Sequence, residues 1–319
     1  MIRRATAALI LSFASPALAE DFVLELPIDC DLGTESCFIQ QYMDRDPGPD
    51  AIDYQCAGLS YDGHKGTDFG LPTYADIARN VPVIASATGR VLGVRDGIPD
   101  TGVAADVDGR ECGNGVVLEH EDGWQTQYCH LKRGSVKVTR GQIVEVGEVM
   151  GYVGQSGKAG FPHVHLSVRK DGTPVDPFDP KGEASCGTPA DGTLWAETPI
   201  YQPGGLLDAG FTDKIPDFAD VKAGTADAVP LEPASPAIVL FGLIFGTQAN
   251  DVLRMRIEGP NGMLIEDDQV MERDQAQAFR AFGRRKRAND WPAGAYDGSI
   301  SLIRDGKTIS TLFRQINIE

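Results

Sequence analysis

Between about residues 61 and 180, short β-prone runs alternate with glycine-containing turns, and this rhythm constrains the fold before any single residue is considered. VPVIASATGRVLGV, GVVLEHEDGWQTQYCHL, GSVKVTRGQIVEVGEVMGYVG and HVHLSVRKDGTPV follow one another without long helical periodicity. Regular short strands separated by turn signals pair as antiparallel sheets. The expected fold class is therefore all-β.

Within this frame, four of the chain's five histidines fall into three short motifs. His64 and Asp68 sit in HKGTDFG, His130 in TQYCHL, and His163 and His165 in FPHVHLSV. Residues two apart on a strand share a face, so His163 and His165 can point into one pocket. His64 and Asp68 cannot meet one ion from a straight strand, because four residues span about 13 Å. The chain must bend between them, and Gly63 and Gly66 permit it; the expectation is a strand end followed by a tight turn. Imidazole and carboxylate donors suit a catalytic zinc, which takes three protein ligands and keeps one position for water.

In this order and spacing, HKGTD, YCHL and HVH resemble the lysostaphin/LytM-like zinc metallopeptidases. The resemblance spans roughly residues 60–180 and includes GNGVVLEHEDGW and GYVGQSGKAG. It implies a β-sheet core crossed by a groove, with Zn2+ held by His64, Asp68 and His165. It also implies that His130 and His163 are the catalytic pair, acting on a peptide bond attacked by zinc-activated water. Members of this family cut peptide cross-links or bridges of bacterial peptidoglycan, so the expected activity is that of a murein endopeptidase. Some LytM-like domains that have lost zinc ligands instead regulate amidases by contact; a non-hydrolytic regulator or wall-binding protein is the alternative. Tyr128 shares a strand face with His130 by simple alternation and reads as sheet packing. His120, at a hairpin turn, is assigned no role.

Compartment is read from the first twenty residues. Arg3 and Arg4, an apolar stretch from Ala5 to Ala14, and Pro16 before Ala17-Leu18-Ala19 have the form of a signal peptide cut after Ala19. No later segment reaches the length of a membrane-spanning helix. The protein is expected in the periplasm or outside the cell. Six cysteines in such a compartment favour three disulfides. Cys30 and Cys37 can close a local loop, Cys112 and Cys129 flank the hairpin turning at EDGW, and Cys56 is left with Cys186. Other pairings among the fifteen remain open at this level.

The net charge of −17 excludes an ordinary nucleic-acid binder. Arg284-Arg285-Lys286-Arg287 is the one basic cluster, read as a solvated loop or edge strand. The stretch 95–111, with Asp96, Asp100, Asp106 and Asp108, is a long acidic loop placed to wall the groove; DVDG lacks full EF-hand spacing.

The organisation expected is a signal peptide at 1–19, a disulfide-containing lead-in at 20–60, and a LytM-like peptidase domain at 61–185. A Pro/Gly-rich linker at 186–230 and an immunoglobulin-like β-sandwich at 231–319 follow. IVLFGLIFG, LRMRIEGPNGMLI and YDGSISLIRDGKTISTLFRQINIE supply the sandwich strands. This module is expected to position the enzyme on the wall or on an envelope protein partner. The lead-in, with Asp44, Asp46, Asp50 and Asp53, is a candidate cover for the groove.

Overall fold

The computed structural model describes residues 22–33, 35–104, 108–183, 186 and 192–319; the leader at 1–19 and Asp106 lie outside them. The first strands are β1 (Phe38–Gln41), β2 (Thr67–Gly70), β3 (Pro82–Ile84), β4 (Gly89–Arg95) and β5 (Asn114–Glu119). They are followed by β6 (Trp124–Leu131), β7 (Ile143–Val144), β8 (Val149–Tyr152), β9 (His163–Lys170) and β10 (Thr173–Val175). Eight of these form one sheet in the order β1-β2-β9-β6-β5-β4-β7, with β10 also paired to β9, while β3 and β8 pair separately. Every pairing is antiparallel, as the turn chemistry requires.

The rest of the chain supplies β11 (Gly205–Thr212), the short helix α1 (Phe218–Ala223) and β12 (Ala237–Thr247). After these come β13 (Val252–Gly259), β14 (Gly262–Val270), β15 (Gln275–Arg285), β16 (Gly294–Arg304) and β17 (Lys307–Ile318). Sheets β11-β12-β15 and β14-β13-β16-β17 enclose a core that includes Leu206, Leu240, Met255 and Ile300. The RDGK turn joins β16 to β17 with Asp305 and Gly306 both at positive φ, 50° and 74°, the conformation a two-residue hairpin turn demands. The molecule is thus nearly all β, in two sheet systems.

β12 is buried at all eleven positions. One face, with Ile238, Leu240 and Ile244, enters the sandwich core; the other, with Phe241, Leu243 and Phe245, meets Phe38 of β1, Leu207 and Val221. A strand covered on both faces reads as an unbroken apolar run, which accounts for IVLFGLIFG. The Phe38 and Phe245 rings lie 4.7 Å apart, so the two sheet systems share apolar surface. β11 and α1 fall within the stretch read from composition as linker, and β1 within the lead-in. We propose that the second unit begins at β11.

The cysteines form Cys30–Cys37, Cys56–Cys186 and Cys112–Cys129, and no described cysteine is free. Arg284 and Arg285 end β15, an edge strand, and are exposed. Among the described residues no helix is long and apolar enough to cross a membrane.

Candidate metal centre and groove

His64 leaves a turn in which its N–H donates to the Tyr61 carbonyl at 3.0 Å, with Gly63 at φ 74°. The order is thus the reverse of the sequence expectation: the turn comes first and Asp68 follows on β2. Gly66 allows the approach between them. A Cβ there would stand 2.5 Å from the Leu166 carbonyl oxygen and 2.6 Å from His165 Nε2. β2 pairs with β9 so that Asp68 lies opposite His165 and Gly70 opposite His163, and β6 sets Cys129 opposite His165 on the other side.

The donor atoms converge. Asp68 Oδ1 is 3.2 Å from His64 Nε2 and 2.7 Å from His165 Nδ1, and the two imidazole atoms are 3.1 Å apart. His64 Nδ1 lies 2.7 Å from the Tyr42 carbonyl, which can only accept, so in the neutral ring Nδ1 carries the proton and Nε2 is a lone pair. A lone pair facing a carboxylate is repulsive unless positive charge sits among the donors. Zinc bonds of about 2.0–2.2 Å in a tetrahedral site separate ligand atoms by roughly 3.3–3.6 Å, so a small outward shift of these donors would seat the ion. His165 Nε2 contacts Ser167 Oγ at 2.9 Å, a partner that fixes the ring. Burial alone would lower His64 and raise Asp68. Instead, the Asp68 charge lifts His64 above its ordinary value, and the imidazoles hold Asp68 well below the carboxylate range. The cluster attracts positive charge, and this donor set fits Zn2+.

The second pair faces the same cluster. His163 Nδ1 donates to the Phe161 carbonyl and His130 Nδ1 to the Ser156 carbonyl, each at 2.8 Å, leaving both Nε2 atoms as lone pairs. Their rings are 4.6 Å apart, and His163 Nε2 is 3.6 Å from Asp68 Oδ1. Burial pushes both below the ordinary histidine range; neighbouring imidazoles add to this in each, and the Asp68 charge opposes it more strongly at His163 than at His130. Both are therefore neutral near pH 7.

His130 reaches this position by breaking its strand's alternation. Its φ is 65°, and its N–H donates to the Cys112 carbonyl at 2.8 Å. Cys129 and His130 consequently both line the groove, while Tyr128 is fully buried and its hydroxyl accepts the Ser86 N–H at 2.8 Å. The two residues do not share a face. His120 binds the Thr88 carbonyl and Thr126 Oγ1, apart from the groove.

The groove has a volume of about 610 Å³. Tyr61, unassigned from sequence, stacks on His64 with ring centroids 4.4 Å apart and lines it. Its place three residues before His64 was the only available signal. Val103 of the acidic loop forms one wall. Two of that loop's carboxylates are spent on backbone: Asp96 accepts the Gly134 and Val136 N–H groups, and Asp100 those of Arg133 and Gln155. Another wall joins the two sheet systems, with Ala276 and Gln277 of β15 beside Gln40 and Gln41 of β1. Gln277 Nε2 donates to Gln40 Oε1 at 2.9 Å, and Gln40 Nε2 to the Ala276 carbonyl at 3.2 Å. No sequence pattern marked these glutamines. In the lead-in, Asp44 accepts the Asp46, Ile52 and Gly63 N–H groups, and Asp53 those of Gln55 and Ala57. Asp46 accepts the Gly48 N–H, and Asp50 is exposed.

Residues 62–177 match the profile of Peptidase family M23. Peptidoglycan DD-endopeptidase ShyB of Vibrio cholerae is 32% identical over 113 residues, covering 35% of this chain and 22% of the relative. DD-carboxypeptidase/endopeptidase Mpg of Neisseria meningitidis is 34% identical over 116 residues, covering 36% and 22%. The chain thus spans about a fifth of the length of these relatives. The solved catalytic domain of lysostaphin from Staphylococcus simulans aligns at 25% identity over 43% of this chain and 85% of that one, with a TM-score of 0.27. The ordered histidine motifs all lie inside the matched segment, and residues 62–177 are a peptidase family M23 (LytM-like) domain.

Proposed function

We propose that this chain is an exported zinc endopeptidase that hydrolyses peptide cross-links of peptidoglycan. The observation that carries the reading is the convergence of five groups on one groove: His64, Asp68 and His165 as ligands, with the Nε2 atoms of His130 and His163 beside them. The relatives' names, both specifying DD bonds, make the D,D cross-link the first substrate to test. Three disulfides fit an oxidising compartment.

Bound to His64, Asp68 and His165, zinc supplies Lewis-acid polarisation and a water acidic enough to ionise near neutral pH. The chain's own residues do the rest. Carbonyls of Phe161 and Ser156 fix the tautomers, so His163 and His130 each hold a basic Nε2 toward the reacting centre. Burial and mutual proximity disfavour two positive rings, so the pair carries one proton at a time, taken at Nε2 from the water that adds to the carbonyl carbon and given to the amide nitrogen as its C–N bond breaks. The protonated ring also donates toward an oxyanion. Tyr61 and Val103 cover the groove edges and limit water around the substrate.

The test is digestion of purified sacculi by the zinc-loaded chain lacking residues 1–19, with Asp68→Ala beside it and mass spectrometry of the soluble muropeptides. Cross-linked dimers should fall to monomers only where Asp68 is present. Unchanged muropeptides from zinc-loaded wild-type protein would overturn the assignment.

A further inference from the structure

The groove runs along β9 past the metal ligand to Arg169. His163, His165, Ser167 and Arg169 alternate onto one strand face, and four residues place Arg169 about 13 Å along the strand from His165. Its guanidinium is braced: Nη2 donates to Gln127 Oε1 at 2.7 Å, and Gln127 Nε2 reaches Cys112 Sγ at 3.3 Å in the Cys112–Cys129 bridge.

Three of the other partly buried arginines meet carboxylates; Arg280, which donates to the Phe279 carbonyl outside the groove lining, does not. Arg45, Arg304 and Arg314 contact carboxylates at 2.7, 2.7 and 2.6 Å. Among the described residues, no carboxylate lies within ion-pair distance of Arg169, and its partner is a neutral amide. Partial burial lowers its pKa with no acidic group acting against that. Glu111 lines the same groove, but its carboxylate accepts the Gly109 N–H at 3.0 Å. A partly desolvated guanidinium without a counter-charge is unfavourable, and its planar fork matches a carboxylate. The chain's net charge of −17 disfavours an acidic ligand overall, so a local cation in the groove is what would hold one there. Exposed Lys158 lines the same groove, and its charge acts on the Glu111 carboxylate.

We propose that Arg169 anchors an anion subsite that takes a free carboxylate on the peptide substrate, about four residues from the bond placed over the metal cluster. Gln127 is the positioning residue that presents it. This deepens the peptidase reading and rests on it for the identity of the ligand. The consequence is selectivity: acidic peptides seat with the carboxylate on Arg169, whereas amidated or neutral ones lose that anchor.

Fluorescence anisotropy tests this on the whole chain stripped of metal by chelator, so that nothing is cleaved. The probes are dye-labelled serine–glycine octapeptides carrying one glutamate at successive positions, each with a glutamine twin. At one position glutamate should bind about tenfold tighter than glutamine, equivalent to about 1.4 kcal/mol. Arg169→Gln should erase that difference, and Arg169→Lys, which keeps charge without the fork, should retain part of it. Equal binding of all twins, or discrimination surviving in folded Arg169→Gln, overturns the subsite. Sacculus digestion is scored separately. Discrimination without digestion sinks the peptidase reading alone, and digestion without discrimination sinks the subsite alone.

Discussion

His130 at φ 65° holds a conformation that costs a non-glycine residue about 1–3 kcal/mol and turns its ring into the groove. The motif YCHL marked this histidine, but two-residue alternation placed it beside Tyr128; the backbone inversion depends on the Cys112 carbonyl, eighteen positions earlier, and no local pattern encodes it. By contrast, the same-face pair His163 and His165 follows from strand geometry alone. Ser167, two residues on, was invisible as a partner of His165 because serine is ordinary on a strand. Ser167→Ala should lower zinc affinity by about tenfold or more, as loss of a ligand's orienting bond does. Competition with a chelating dye measures it, and unchanged affinity would show the contact to be incidental. Asp176 offers a second residue-scale outcome. Burial, then the nearby Asp179, raises its pKa to about 7. A carboxyl raised in the folded state gives stability that is full below the unfolded value and lost as pH rises to the folded one. Stability should therefore fall between about pH 4 and 7, by about 1.4 kcal/mol for each pH unit crossed. Asp176→Asn should flatten that fall in urea titrations at pH 5 and 7.5. A parallel pH dependence in both proteins would mean Asp176 is ionised in the fold.

The strands between residues 61 and 180 were legible because glycine turns delimit them. β1, four residues long, was not: its pairing with β2 depends on a partner some thirty residues away. β11 was hidden by the Pro-, Gly- and Asp-rich sequence around it. The loop from 95 to 111 shows how an acidic stretch can be structural. Asp100 ties it to Arg133 and Gln155, and the Gly102 and Val103 N–H groups donate to the Gln155 and Ala159 carbonyls, beside the segment that carries Ser156. Asp100→Ala should loosen the loop that carries Val103, raising KM several-fold with little change in kcat. It should also speed cleavage within 96–111 by a broad-specificity protease. A change in kcat alone would place the loop's influence on chemistry rather than on substrate retention.

The two sheet systems meet through Phe38, Leu207, Val221, Phe241, Leu243 and Phe245, a shared core rather than a flexible tether. A chain ending at Pro203 would expose Phe38 and lose Gln277 from the groove. Its unfolding midpoint should drop by several degrees, and sacculus digestion should slow even at temperatures where it stays folded. Equal midpoints and rates would make the units independent. Phe38→Ala, which removes a buried ring, should cost about 3–5 kcal/mol without shortening the chain.

Gln40 and Gln277, which close one side of the groove, are 237 residues apart in sequence. A ribosome delivers the first long before the second. The groove is therefore unfinished on that side throughout most of translation, and the wall closes only after β15 has been made and has docked. The order of synthesis itself thus decides when the groove can hold a ligand in its completed form.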